Sequence, residues 1–276
     1  MIPDEAALAL VPGLERGAPP LRLERLSGGA VNDSWRVDTA QGRFVLRVDG
    51  VAWRRPGVDR ARERLLHAAA ATAGLAPRLI CAATAPGVQV CEFLDGRTWE
   101  QADLSRAGQL DRLGERLAQL HEVPLPSAIA QFDPGACARQ YVQLASDQGA
   151  ADANAGSIAT DVGADAAWIA ATGSGRAAGT CIVHGDLVHG NLLEGAKLWL
   201  LDWEYAQRAD PIYNIACVLA YHPQARLQAS RLLAAAGMAS SADALRLAAA
   251  IRVYQALTWL WHQARGEVPP KTDFRP

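Results

Sequence analysis

Two histidines, two aspartates, an asparagine and two glutamates fall within HGDLVHGNLLEGAKLWLLDWEY, residues 184–205. Asp186 and Asn191 stand five residues apart on loop-like sequence, and Asp202 returns after two short apolar runs that read as a hairpin. Paired runs would turn all three side chains toward one cavity. A hard divalent cation such as Mg²⁺ takes oxygen ligands and few of them from protein. Asn191 and Asp202 suit that cation, which leaves Asp186 to accept a proton from a hydroxyl. His184 reads as a structural residue bonded to a backbone carbonyl, and His189 as an ordinary loop residue.

This division of labour matches kinases: a catalytic Asp, a metal-binding Asn and a second metal-binding Asp. His184-Gly185-Asp186 with Asn191 keeps the H-x-D-x-x-x-x-N spacing, with Gly in place of Arg. Trp203-Glu204 follows the second aspartate instead of Phe-Gly, and no A-P-E segment or long activation loop follows. That argues against a protein substrate. GDLVHGN also echoes metallophosphoesterase blocks, but such chemistry needs several more ligands, and only His222 and His262 lie downstream among the histidines.

The phosphates need a second set of residues. LSGGAVNDSWRV places Ser27, Gly28 and Gly29 between two strand-like runs, and paired glycines let backbone amides approach phosphate oxygens. No G-x-x-x-x-G-K-[ST] loop occurs, and the G-x-G of TGSGRAAG is too weak to count. FVLRV projects Arg47 where kinases carry the phosphate-holding Lys of V-A-I-K. Glu63, in the helical stretch that follows, can pair with it.

Those side chains must be held by elements. Residues 22–26, 33–38, 43–49, 78–83 and 88–94 read as strands, with a turn at 39–42 joining the second and third. DRARERLLHAAAATAG is a helix by composition, closed by Gly74 with Pro77 beyond. After Gly96 the pattern turns helical: Leu110, Leu113, Leu117 and Leu120 mark one face. Residues 149–165, rich in Gly, Ala, Asp, Asn and Ser, read as a surface loop, and 172–179 as another. A strand at 180–183 leads into the opening stretch, and 192–193 with 198–201 form a hairpin. Asp210-Pro211 starts a helix, with Asp as N-cap and Pro at the first position. Further helices cover 224–236 and 241–265, the second stopped by Gly266. The expected architecture is α+β with two lobes, residues 1–95 and 96–276.

Composition narrows the function. The 276 residues are half hydrophobic, ample for a core, and net charge is −2, so no general affinity for nucleic acid is expected. Five scattered cysteines without a C-x-x-C pair argue against a disulfide framework or cysteine zinc site and fit a reducing cytoplasm. The N-terminal run MIPDEAALALVPGLERG begins with acids, unlike a signal peptide, and no stretch of about 18 apolar residues predicts a membrane span.

Taken together, LSGGAVNDSWRV, FVLRV, RERLL, CEFLDG, LAQLHEVPLP, IVHGDLVHGNLL and LLDWEYA resemble the aminoglycoside phosphotransferase and choline kinase superfamily over residues 20–265. DWEYA after two leucines looks most like bacterial choline and thiamine kinases. The resemblance implies a bilobal protein-kinase-like fold, a small β-rich N-lobe and a larger, mainly helical C-lobe, working with ATP and Mg²⁺. It implies Asp186 as catalytic base and Asn191 with Asp202 as Mg²⁺ ligands. Ser27, Gly28, Gly29, Asn32, Arg47 and Glu63 would serve the nucleotide, and Glu92, Phe93 and Leu94 the adenine. Arg47 stands where relatives carry Lys, and Asn214 where many carry Asp.

The acceptor is then a small molecule. IRVYQALTWLWHQARG sets Tyr254, Thr258 and Trp261 on one helical face and Trp259 on a neighbouring one. Trp259 and Trp261 suit either core packing or an aromatic wall for a cation. Glu204, Asp210 and Tyr213 could add charge complementarity. Choline, ethanolamine, thiamine and amino sugars all fit, and a catalytically weak nucleotide-binding regulator on the same fold is the reading from another class.

Overall fold

A computed structural model describes residues 3–15, 19–26, 32–49, 56–82, 87–173 and 180–269. Ser27, Gly28 and Gly29 lie outside the described residues. A four-residue helix, α1 (Glu5–Leu8), precedes strands β1 (Arg22–Arg25), β2 (Asn32–Thr39) and β3 (Gly42–Asp49). Helix α2 (Arg60–Thr72) separates them from β4 (Leu79–Ala82) and β5 (Val88–Glu92). The five strands form one antiparallel sheet in the order β1-β2-β3-β5-β4.

Side-chain alternation gives this sheet two different faces. Trp35, Val37, Phe44, Leu46 and Val90 share one face, which Ala7, Val11 and Leu14 of the N-terminal segment cover. Nothing in the short α1 pattern predicts that cover. Arg47, next to Leu46, points to the opposite face, where α2 lies. Asp59 caps α2 by accepting the N–H groups of Ala61 and Arg62 at 2.9 and 3.1 Å. That cap fixes where the first turn, with Arg60 and Glu63, begins.

The rest is mainly helical. It contains β6 (Arg97–Thr98), α3 (Ala107–His121), α4 (Pro134–Asp147), α5 (Ala155–Thr172), β7 (Cys181–Val183), β8 (Leu192–Glu194), β9 (Leu198–Leu200) and β10 (Gln207–Ala209). Helices α6 (Ile212–Tyr221), α7 (Ala229–Ala235) and α8 (Ser241–Gln263) complete it. The face predicted for α3 is buried at all four leucines. β8 and β9 form the expected hairpin, and β6 adds a third strand beside β8.

The stretch 149–165 is a correction. Most of it belongs to α5, which buries Ile158, Ala159, Val162 and Ile169. A Cβ on Gly135 of α4 would stand 3.1 Å from the Cα of Gly163 in α5. Gly163, one of the glycines that made the segment look like a loop, lets the two helices approach closely. Two smaller shifts occur. α6 begins at Ile212 with Pro211 as cap residue, though the Asp210 carboxylate still accepts the Ile212 N–H at 2.9 Å. The 224–236 segment opens as a 3-10 turn, Pro223–Gln228, before α7. Among the described residues, no helix is long and apolar enough to cross a membrane.

Candidate active site

β7 pairs with β10 and delivers the chain into residues 184–191. His184 is fully buried. Its Nε2 lies 2.9 Å from the Leu201 carbonyl, and its Nδ1 accepts the Asp186 N–H at 3.3 Å. These partners assign the proton to Nε2. Burial pushes the imidazole down to about 3, so it stays neutral. It braces the segment instead of reacting, with Trp203 packed against its ring. Gly185 has φ +81°, and a Cβ there would stand 2.4 Å from the Tyr205 carbonyl oxygen. Only glycine fits that position.

Asn191 donates through Nδ2 to both the backbone carbonyl and the carboxylate of Asp186, at 2.8 and 2.9 Å. With its amide nitrogen so engaged, its Oδ1 is the atom left for a cation. Asp202 has φ +60°, the single positive φ outside glycine among the described residues. An aspartate tolerates this conformation better than most side chains. Burial raises its carboxyl above the usual range, helped by Glu204 and Asp186 and opposed by Arg47.

The side expected to meet phosphate is built on α2. Arg47 reaches Glu63 at 2.6 Å and Asp202 at 3.4 Å, so one guanidinium links β3, α2 and the segment after β9. The predicted Arg47–Glu63 pair is therefore formed. Arg60 was not foreseen. It contacts Asp49 at 2.7 Å, Glu63 at 2.7 Å and Glu204 at 3.2 Å. Its three-residue spacing from Glu63 at a helix start was the available signal.

Asn32 and Glu204, assigned from sequence to nucleotide and substrate, bond each other at 3.0 Å across the lobes. Asp210 is engaged by Arg246 as well as by the Ile212 N–H. Arg246 is almost wholly buried, and a buried guanidinium needs that carboxylate. Burial pushes the Asp210 carboxyl up to about 6. Tyr213 packs into the C-lobe core. Asp210 thus has a structural partner, and Tyr213 has a place in the core.

Trp259 and Trp261 are partly buried against the same core. The Trp261 indole donates to the Pro56 carbonyl at 3.2 Å, and Arg265 lies 4.5 Å over its ring. That face of the ring already carries a cation. Tyr221 and Tyr254, in edge contact at 5.7 Å, both have Asp186 in their charge environment. Burial is the main cause that raises both phenols, and Asp186 adds to it. Asn214 donates to the Ile182 carbonyl at 3.1 Å, lies 3.2 Å from His121 Nε2, and accepts the His184 N–H at 2.9 Å. An aspartate could not make the first of these bonds. Phe93, in the expected adenine segment, holds its N–H to the Arg43 carbonyl and stacks under Arg36 at 4.5 Å.

The donor chemistry accommodates Mg²⁺. Asp49, Glu63, Asp202 and Glu204 pair with two arginines and Asp186 adds its charge beside Asp202, an excess of negative charge that a cation would balance. Among the described residues, no three His, Cys, Asp or Glu side chains could hold a metal. Two oxygen donors, Asn191 and Asp202, suit an ion that keeps water and phosphate oxygens as its other ligands.

The sequence matches the model of the phosphotransferase enzyme family APH over residues 22–261. The chain belongs to this family. No curated protein matches it. Among solved structures, the phosphotransferase is similar to a choline/ethanolamine kinase family protein from Mesorhizobium loti, at 25% identity and a TM-score of 0.75, over 98% of this chain and 88% of that one. It is similar in fold to the choline kinase LicA from Streptococcus pneumoniae, at 20% identity and 0.74, over 93% and 89%. A third likeness is spectinomycin phosphotransferase in complex with ADP and spectinomycin, at 12% identity and 0.60, over 90% and 83%. The bilobal kinase-like fold and the superfamily are thereby established for this phosphotransferase.

Proposed function

We propose that this phosphotransferase is an ATP- and Mg²⁺-dependent kinase that phosphorylates a hydroxyl of a small cationic metabolite of choline, ethanolamine or thiamine type. The observation that carries the reading is the pair of hydrogen bonds that Asn191 donates to Asp186, together with the Arg47 bridge from Glu63 to Asp202. It supports reading Asp186 as the proton acceptor, Asn191 and Asp202 as oxygen donors to a metal, and Arg47 as the cation that holds phosphate. A bound Mg²⁺ would supply charge neutralisation to the phosphates there. Asp186 takes the proton of the acceptor hydroxyl. Arg47, steadied by Glu63, holds phosphate oxygens through a planar guanidinium. Glu92, Phe93 and Leu94 serve the adenine, and residues 1–95 and 96–276 act as the two lobes.

The acceptor class rests on charge and aromatic surface together. Tyr221 and Tyr254 lie within electrostatic reach of Asp186, in a site rich in carboxylates. Ring faces attract ammonium groups, and carboxylates favour any cation. A panel of choline, ethanolamine, thiamine and amino sugars, assayed for ADP release and phosphorylated product, tests this. Turnover of one of the first three is expected. Turnover of amino sugars alone would move the reading to an amino-sugar kinase. Nucleotide binding without any product would replace the kinase by a regulator.

A further inference from the structure

Asp186 can act as a base only if its carboxylate is held, and residues 184–187 have no regular structure to hold it. Two helices behind the segment supply the restraint. Cys217 of α6 accepts the Leu187 N–H on its sulfur at 3.0 Å. The Cys217 thiol donates to the Tyr254 hydroxyl at 3.1 Å. Tyr254, from α8, donates in turn to the Gly185 carbonyl. The bonds run in one direction: Leu187 N–H to sulfur, thiol to phenol, phenol to Gly185. They close a ring around the backbone of Asp186, one residue to either side. Asn214 sits one turn before Cys217 on the same face of α6 and holds His184.

Each partner has the protonation the chain needs. Burial pushes the Cys217 thiol up to about 12 and the Tyr254 phenol well above its ordinary range, so both keep the hydrogen they donate. Cys217 is fully buried. Nothing in its position suits it to react with a substrate.

We propose that Tyr254 and Cys217 are positioning residues that clamp the Gly185 carbonyl and the Leu187 amide and so fix the carboxylate of Asp186. The inference rests on the reading of Asp186 as the base. A misplacement of about 1 Å can cost on the order of 10²-fold in rate. Tyr254→Phe removes one hydroxyl and keeps the ring. Cys217→Ala removes the sulfur, whereas Cys217→Ser restores an atom that can accept and donate.

Two readouts test the clamp, one independent of turnover. In amide hydrogen exchange, Tyr254→Phe and Cys217→Ala should speed exchange about 10-fold or more in the peptide containing Leu187, with other segments unchanged. In the acceptor assay, both should lower kcat by about 10- to 100-fold, with KM for ATP within about 2-fold. Cys217→Ser should recover most of the loss. Wild-type exchange at Leu187 in both variants overturns the clamp, whatever the activity. So does wild-type kcat in both variants, or a serine variant no better than alanine. Failure of the kinase reading looks different: the wild type itself then transfers no phosphate, while the exchange result still decides the clamp.

Discussion

Replacing Glu63 by glutamine removes one negative charge from between two arginines. Glu63 is buried, with 1% of its surface exposed, and stands 2.6 Å from Arg47 and 2.7 Å from Arg60. The arginines beside it pull its carboxyl below the usual range against the effect of burial. Breaking a buried pair by removing one partner costs about 3–5 kcal/mol. Arg47 keeps Asp202, and Arg60 keeps Asp49 and Glu204, so the loss should sit near the lower end. About 3 kcal/mol corresponds to a fall in Tm of roughly 6–12 °C for a chain of this size. The fold should survive, since typical stabilities are about 5–15 kcal/mol. Arg47 would then lean on Asp202 alone, and KM for ATP should rise about 10-fold, worth ~1.4 kcal/mol. Thermal melts and ATP saturation curves on Glu63→Gln check both numbers. A variant that melts and saturates like the wild type refutes the claim that Glu63 holds Arg47 in place.

Asp202→Ala should raise the Mg²⁺ concentration needed for half-maximal activity and weaken nucleotide binding, and Asn191→Ala should do so more mildly, since a neutral ligand is lost; unchanged Mg²⁺ titrations in both would remove the metal assignment. Trp261→Leu should lower Tm, because it loses the bond to Pro56 and the Arg265 contact, while acceptor KM changes by less than about 3-fold; a selective rise in acceptor KM at normal Tm would restore it as a cation wall. His184 is held neutral with its pKa depressed from 6.5 to about 3, so its contribution to stability is full above pH 6.5 and is lost as pH falls toward 3. The slope from this one group is at most ~1.4 kcal/mol per pH unit, and denaturant melts from pH 7 to 4 should show it shrink in His184→Gln.

The parts of this chain that chemistry forces into sequence were readable there. Asp186, Asn191 and Asp202 stand at a recognisable spacing, and the hairpin between them follows from two leucine-rich runs. Arg47 and Glu63 were legible because a strand followed by a helix leaves few places for a buried cation and its partner. Arg60 was not, because its three carboxylate partners come from β3, α2 and the segment after β9, which only tertiary structure brings together. The partner of Asp210 was hidden for the same reason: Arg246, 36 residues beyond it, holds its carboxylate. Helix α5 was missed because Gly163 serves helix contact instead of chain reversal. The ring formed by Cys217 and Tyr254 leaves no pattern at all, since a cysteine and a tyrosine inside apolar helices read as core.

Transfer of the γ-phosphoryl group from labelled ATP to a small hydroxylated cation, compared between the wild type and Asp186→Asn, tests the central claim most directly. The substitution keeps shape and removes the proton-accepting charge. The account predicts a labelled phosphorylated acceptor from the wild type and a rate lower by about 10²–10⁴-fold in the variant, with unchanged melting and ATP binding. Equal transfer by the two proteins, or no transfer by the wild type to any acceptor while ATP is bound, would contradict it.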